Sequence, residues 1–153
     1  AEFISSDATR IHDMTAGTRE VAFKVGESTI SPIICFEILD DGLLKEKLHS
    51  NIWITQTNTA TFGYSAEAEQ QLQIIKVRAI EHARPIVAVS TTGPSAFIDE
   101  RGSITFKSNK FEQSTATKLV YLSNSTTLAD TLPWEWIVMV LSFLPLAIRQ
   151  RTR

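Results

Sequence analysis

A chain of 153 residues, 43% of them hydrophobic and 21% charged, is long enough to bury one domain core, and its formal charge of -2 leaves no concentrated basic face for nucleic acid. A single cysteine rules out an internal disulfide framework. His12, His49 and His82 are isolated from one another and from any cysteine or paired carboxylate at ligand spacing, so no metal site is expected.

Residues 1–20 are polar without clear periodicity and read as an irregular N-terminal arm. Val21 to Val25 alternates weakly, with Lys24 on the outward face, and Gly26-Glu27 supplies a turn into a strand over Thr29 to Phe36. Asp40-Asp41-Gly42 precedes a short helical stretch, Leu43 to Leu48, and Asn51 to Thr57 has the β-branched and aromatic content of a buried strand. Ser65 is positioned to cap a helix over about Ala66 to Ala83, whose acidic residues Glu67 and Glu69 come first and whose basic residues come last.

Pro85 ends that helix, and Ile86 to Ser90 is a continuous apolar run of strand length. Thr92-Gly93-Pro94-Ser95 reads as a turn rather than a serine nucleophile, since Gly-x-Ser-x-Gly is absent. Ala96 to Ile98 and Ile104 to Phe106 flank Asp99-Glu100-Arg101-Gly102, a hairpin connection with glycine at a left-handed position, and Leu119 to Leu122 predicts one more strand. Strands alternating with helices predict a layered α/β domain with mixed strand pairing over residues 21–127.

Cys35 closes the apolar run Ile33-Ile34-Cys35 ahead of Phe36-Glu37-Ile38. A lone thiol there is either an inert core side chain or a nucleophile held at a strand end. Because alternate strand residues share a face, Glu37 is expected near Cys35, the alternative being a solvent-facing carboxylate.

Ser31-Pro32-Ile33-Ile34-Cys35-Phe36-Glu37-Ile38 resembles the nucleophile strand and elbow of the carbon-nitrogen hydrolase (nitrilase) superfamily. Arg78-Ala79-Ile80-Glu81-His82-Ala83-Arg84-Pro85, followed by Val89 to Asp99 and the Gly102 turn, is similar to that superfamily's second half. Within it, Asn58-Thr59-Ala60-Thr61-Phe62-Gly63 and the hydrophobic end of the chain resemble the apolipoprotein N-acyltransferase family. The family pattern has aspartate and tryptophan where this chain has Thr59 and Thr61, and histidine at Gln71.

The resemblance implies a four-layer α-β-β-α sandwich of which this chain supplies the second half, so that sheet faces are left uncovered. It also implies that Cys35 is the nucleophile, that the Phe36 backbone N–H binds the oxyanion, that Glu37 supports the elbow, and that Thr61, Phe62 and Gly63 bind substrate. The implied substrates are a phospholipid acyl donor and a diacylglyceryl-modified lipoprotein acceptor, with no cofactor. The family's catalytic glutamate and lysine lie well upstream of the nucleophile, and neither Lys24 nor Glu2 nor Glu20 carries a motif that matches them. With Ala1 in place of methionine and no signal-peptide pattern, the chain is expected to be a C-terminal piece of a longer protein. A soluble nitrilase-type amidase and a catalytically inactive truncated membrane fragment are the other readings.

Residues 128–153 read as a membrane helix with a short basic tail. The run Leu132 to Ile148 reaches roughly 25 Å at about 1.5 Å per residue, the short end of a bilayer core. Trp134 and Trp136 stand where headgroups favour aromatic rings, and Arg149, Arg151 and Arg153 predict a cytoplasmic C-terminus. The expected location is therefore the cytoplasmic membrane, with the hydrolase-like domain on its outer side. Glu135 and Pro145 keep a buried or interfacial helix as the alternative.

Overall fold

Six short strands form one sheet in simple sequence order: β1 (Phe23–Val25), β2 (Ser28–Ile34), β3 (Ile52–Thr57), β4 (Ile86–Ser90), β5 (Ala96–Ile98) and β6 (Ile104–Lys107). The computed structural model describes residue 19 and residues 21–133, 137–139 and 141–143. Strands β2, β3 and β4 are parallel, whereas β1, β5 and β6 join antiparallel at the two sides, so the pairing is mixed as the strand–helix alternation predicts. Parallel neighbours need a crossover, and α1 (Asp41–Glu46) and α2 (Glu67–Glu81) supply the two required.

Register decides which side chains meet the helices. Ser31 and Ile33 of β2 lie beside Trp53 and Thr55 of β3, which lie beside Ile86 and Ala88 of β4, and those in turn beside Ile98 and Ala96 of β5. Helix α2 turns Ala68, Leu72, Ile75 and Ala79 toward them at helical spacing, and all four are buried. With Leu44 of α1 and Ile38, most of these residues form one continuous apolar core. Trp53 is its largest member, fully buried, and its indole N–H is shared by Ser50 Oγ at 2.9 Å and the Lys47 carbonyl at 3.2 Å.

The opposite face carries Phe23 and Val25 of β1, Ile34 of β2 and Val89 of β4, and these are 55%, 63%, 60% and 48% exposed. Large apolar side chains side by side on a sheet face are the signature of a surface meant to be covered. Among the described residues there is one sheet with one helical layer, against the four layers that the resemblance implies for a complete sandwich.

Two local expectations need correction. Strand β2 stops at Ile34, because Cys35 turns into the left-handed region and Cys35–Leu39 winds into a 3-10 turn. Leu119 to Leu122 forms no strand: the segment pairs with no ladder, and Leu119 and Tyr121 are 80% and 78% exposed. β-rich composition there finds no partner edge, which is how tertiary context overrides propensity.

At the C-terminal end, α3 (Leu128–Thr131) is followed by helical residues at 137–139 and 141–143, with Val138, Leu141 and Phe143 exposed. Among the described residues no helix is long and apolar enough to cross a membrane. Trp134, Glu135, Trp136 and the arginines after Ile148 lie outside the described residues, as do His12 and nearly all of the N-terminal arm.

Candidate active site

Cys35 has φ +53°, a conformation that side chains other than glycine adopt at a cost of about 1–3 kcal/mol and that persists only where neighbours over-determine it. Three sets of bonds do so here. The Glu37 carboxylate accepts the Ile34 N–H at 2.7 Å across the elbow. Asp40 donates its N–H to the Glu37 carbonyl at 3.0 Å, and its side chain accepts the Leu43 N–H at 3.0 Å to cap α1. Arg78 of α2 donates to the carbonyls of Ile38 and Leu39 at 3.0 and 3.2 Å, with its guanidinium 2.6 Å from both Asp41 and Glu81. Burial by itself weakens the Arg78 guanidinium's hold on its proton, but Glu81 and Asp41 outweigh it and raise its pKa, so a fixed cation pins the far side of the elbow.

The thiol is free and partly exposed. It lies in an open cavity of about 600 Å³ with Ile34, Ile54, Gln56, Thr57, Asn58, Val89, Ser90 and Thr91. Here β2, β3 and β4 leave the sheet side by side at their carboxyl ends, the place where open parallel sheets present ligands. The cavity opens on the uncovered face, because Ile34, Gln56 and Val89 are register neighbours on that side. The Phe36 N–H is at the start of a 3-10 turn, where an amide has no partner within the turn.

A hydroxyl cluster ties the two loops that flank the thiol. Thr59 Oγ1, on a residue that is 3% exposed, accepts the Gly93 N–H at 2.7 Å and contacts Ser90 Oγ at 2.7 Å and Thr92 Oγ1 at 3.1 Å. One donor and two lone pairs are thereby all used. Gly93 has no room for a side chain: a Cβ would stand 2.8 Å from Ser90 Oγ and 2.9 Å from Thr59 Oγ1. Thr59 and Thr92, where the family pattern differs at Thr59, therefore hold the loop through neutral hydroxyls.

Of the three loop residues expected to bind substrate, Phe62 packs its ring 6.5 Å from that of Phe36. Both line a second cavity of about 350 Å³, with Ile38, Leu39, Ile74 and the start of α2. Thr61 precedes Phe62 and is exposed, and Gly63, at φ +54° and ψ -135°, makes a turn that only glycine adopts without strain. Of the residues around the thiol itself, Asn58 opens the Asn58–Gly63 segment, whereas Gln56, Thr57, Ser90 and Thr91 have no motif of their own and are brought together by register. Their one sequence signal is that each ends an apolar strand.

At the opposite end of the sheet a second polar cluster fastens the C-terminal segment. His82, 2% exposed and tilted over Trp53 at 5.1 Å, bonds Asp130 of α3 at 2.6 Å. The Thr127 hydroxyl donates to the Glu81 carbonyl, and Thr127 receives the Asp130 N–H and donates its own N–H to Asp130, a reciprocal cap of α3. Burial by itself pushes Asp130 up, but the Thr127 N–H and the His82 ring outweigh it and hold its carboxyl below the ordinary range.

A carboxyl depressed in the folded state contributes stability above its unfolded pKa, near 3.9, and loses it as pH falls through the folded value. Hydrogen-exchange protection at residues 123–131, taken relative to the intrinsic rate at each pH, is therefore expected to fall as the pH drops below about 4. Asp130→Asn should cost about 1–3 kcal/mol at neutral pH and flatten that fall. An unchanged acid profile in the variant would assign the response elsewhere.

The description Carbon-nitrogen hydrolase matches residues 5–129, and the chain belongs to that family. Among curated proteins it is similar to the apolipoprotein N-acyltransferases of Pasteurella multocida, at 33% identity over 69% of this chain and 23% of the relative, and of Caulobacter vibrioides, at 36% over 60% and 18%. That of Geobacter metallireducens aligns at 25% identity over 98% of this chain and 30% of the relative. The chain thus spans less than a third of the length of these relatives.

In fold it is similar to the glutamine-dependent NAD+ synthetase of Acinetobacter baumannii, with a TM-score of 0.58 at 16% identity over 65% of this chain and 21% of that one. A carbon-nitrogen hydrolase superfamily protein of Xanthomonas campestris gives 0.55 at 17%, over 72% and 46%. Nit3 of Saccharomyces cerevisiae, of the nitrilase superfamily, gives 0.54 at 16%, over 65% and 40%. At these identities the likeness is one of fold.

Proposed function

We propose that this chain carries the thiol half of an apolipoprotein N-acyltransferase site. The observation that carries the reading is Cys35 itself, strained at a strand end, over-determined by its neighbours and open to a cavity with the apolar walls Ile34, Ile54 and Val89. Similarity to proteins named apolipoprotein N-acyltransferase supports N-acylation of an apolipoprotein as the reaction.

In the proposed reaction the Cys35 thiolate attacks an ester carbonyl of a phospholipid. The C–O bond breaks, the leaving alkoxide takes a proton to become lysophospholipid, and a thioester remains. The α-amino group of a diacylglyceryl-cysteine then attacks that thioester; the C–S bond breaks, the amine loses a proton, and the thiolate returns. The Phe36 N–H faces the oxyanion in both steps. Glu37, occupied by the Ile34 N–H, acts on the elbow's shape and not on the proton. The Thr61–Gly63 loop and the Phe36–Phe62 cavity take part of the acyl chain. The apolar run Leu132 to Ile148 holds the site at the membrane, with the arginine tail on the cytoplasmic side.

The test is to incubate the complete protein containing this chain with phospholipid and a diacylated lipopeptide, and to follow both products by mass spectrometry. Matched appearance of lysophospholipid and N-acylated peptide is expected. Release of ammonia from small amides without acyl transfer would assign the soluble amidase reaction instead. The 153-residue chain alone is expected not to turn over, because its sheet face is bare and no residue ahead of Cys35 matches the proton-moving glutamate or the oxyanion lysine. Sustained Cys35-dependent N-acylation by the isolated chain would refute that expectation.

A further inference from the structure

Asn58 follows directly on β3 and lines the Cys35 cavity between Thr57 and Thr91. The last register pair of β2 and β3 is Ile34 with Gln56, and that of β3 and β4 is Thr57 with Ser90, so Cys35, Asn58 and Thr91 lead off the sheet as neighbours. Adjacent strands are about 4.8 Å apart, so Asn58 stands beside Thr91 and one residue beyond the position level with Cys35, and the three line one cavity.

The carboxamide of Asn58 is oriented from two sides. The Ala60 N–H donates to Oδ1 at 3.1 Å, and the Thr91 hydroxyl donates to the same oxygen at 3.0 Å. A backbone amide can only donate, so the Ala60 contact assigns the oxygen and leaves both Nδ2 hydrogens directed elsewhere. Among the described residues nothing accepts from Nδ2. Thr91 is fixed in turn, since its Oγ1 accepts the Thr59 N–H at 3.2 Å and its own N–H reaches the Thr57 carbonyl at 3.2 Å. An amide whose oxygen is held twice, on a loop locked by the saturated Thr59 hydroxyl, is a donor set in place before any ligand arrives.

We propose that Asn58 is a substrate-binding residue of the Cys35 site, its Nδ2 donating to the carbonyl oxygen of the acyl group that Cys35 attacks and to the oxyanion that this oxygen becomes. The proposal rests on Cys35 as nucleophile and is independent of which ester or amide is the natural acyl donor. Thr91 is a positioning residue that acts through the Asn58 carboxamide.

The reactivity of Cys35 is read in the complete protein that contains this chain, by the mass of the peptide carrying Cys35, with two probes of different chemistry. With p-nitrophenyl acetate the thiolate adds to a carbonyl, the C–O bond breaks, p-nitrophenolate leaves with the electron pair, the thiol proton goes to solvent, and an acetyl thioester remains. With methyl methanethiosulfonate the thiolate displaces methanesulfinate at sulfur, and no carbonyl is involved. Asn58→Asp, which keeps the oxygen that Ala60 and Thr91 bind but lacks the donors, is expected to slow acetylation by about tenfold or more while sulfur exchange, corrected for thiolate fraction, changes less than about twofold. Asn58→Ala should shift the ratio in the same direction, and Thr91→Val less so. If both probes slow in proportion, or neither does, the assignment of Asn58 is overturned while Cys35 stands. If wild-type Cys35 exchanges with the thiosulfonate yet forms no acetyl adduct, the nucleophile reading falls and the proposal falls with it.

Discussion

Cys35→Ser in the complete protein is expected to remove the acyl adduct seen by intact mass after incubation with phospholipid, and to lower acyl transfer on the order of 10⁴-fold or more. Thiols are far more acidic than alcohols, so attack by a thiolate is accessible where a serine hydroxyl in the same place needs a strong base to attack at all. Nothing else about the elbow should change. Serine fits the same space, and the bonds that hold φ at +53° come from Glu37, Asp40 and Arg78, none of them from sulfur. An unaltered melting temperature with the adduct gone is therefore the expected pairing. A normal adduct in the serine variant would take Cys35 out of the reaction.

The largest effect on stability is expected at Arg84. Its side chain is buried with the residue only 3% exposed, and it donates to five carbonyls: Ser50 at 2.8 Å, Leu48 at 2.9 Å, His82 at 3.2 Å, Ala83 at 3.3 Å, and Ser125. One planar fork thus joins the segment after α1, the turn after α2 and the chain that leads to α3. Burial lowers the arginine's pKa, partly offset by Asp130, but a guanidinium remains charged at any ordinary pH. Truncation to alanine leaves those carbonyls without their donor and opens a void, so Arg84→Ala is expected to cost about 3–5 kcal/mol in urea unfolding. Lysine has one small ammonium and cannot span the set, so Arg84→Lys should recover only part of the loss. A cost below about 1 kcal/mol for alanine would show that water replaces the fork readily.

Placement of Cys35 at a strand end was legible because it is local: an apolar β-branched run ending in a cysteine needs no distant residue to be read. The same holds for α2, with its acidic start, helical apolar spacing and Pro85 stop, and for the Gly102 hairpin, where the observed φ of +76° is the left-handed turn that the sequence pattern calls for. Leu119 to Leu122 misleads for a complementary reason: composition reports a willingness to pair, and pairing needs an edge that the fold does not bring there.

What only tertiary structure decided are the relations between side chains far apart in sequence. Glu37 sharing a face with Cys35 was a strand-period inference, but the strand ends at Ile34, and the carboxylate instead spans the elbow to that residue's amide. His82, an unremarkable helix-end residue by sequence, finds Asp130 only because α3 folds back against the end of α2. Asn58 meets Thr91, and shares a cavity with Cys35, only because three parallel strands end together. Backbone propensity and hydrophobic period act over a few residues, so they declare elements and a thiol at a strand end; register and packing act across the sheet, and they alone choose which polar groups surround it.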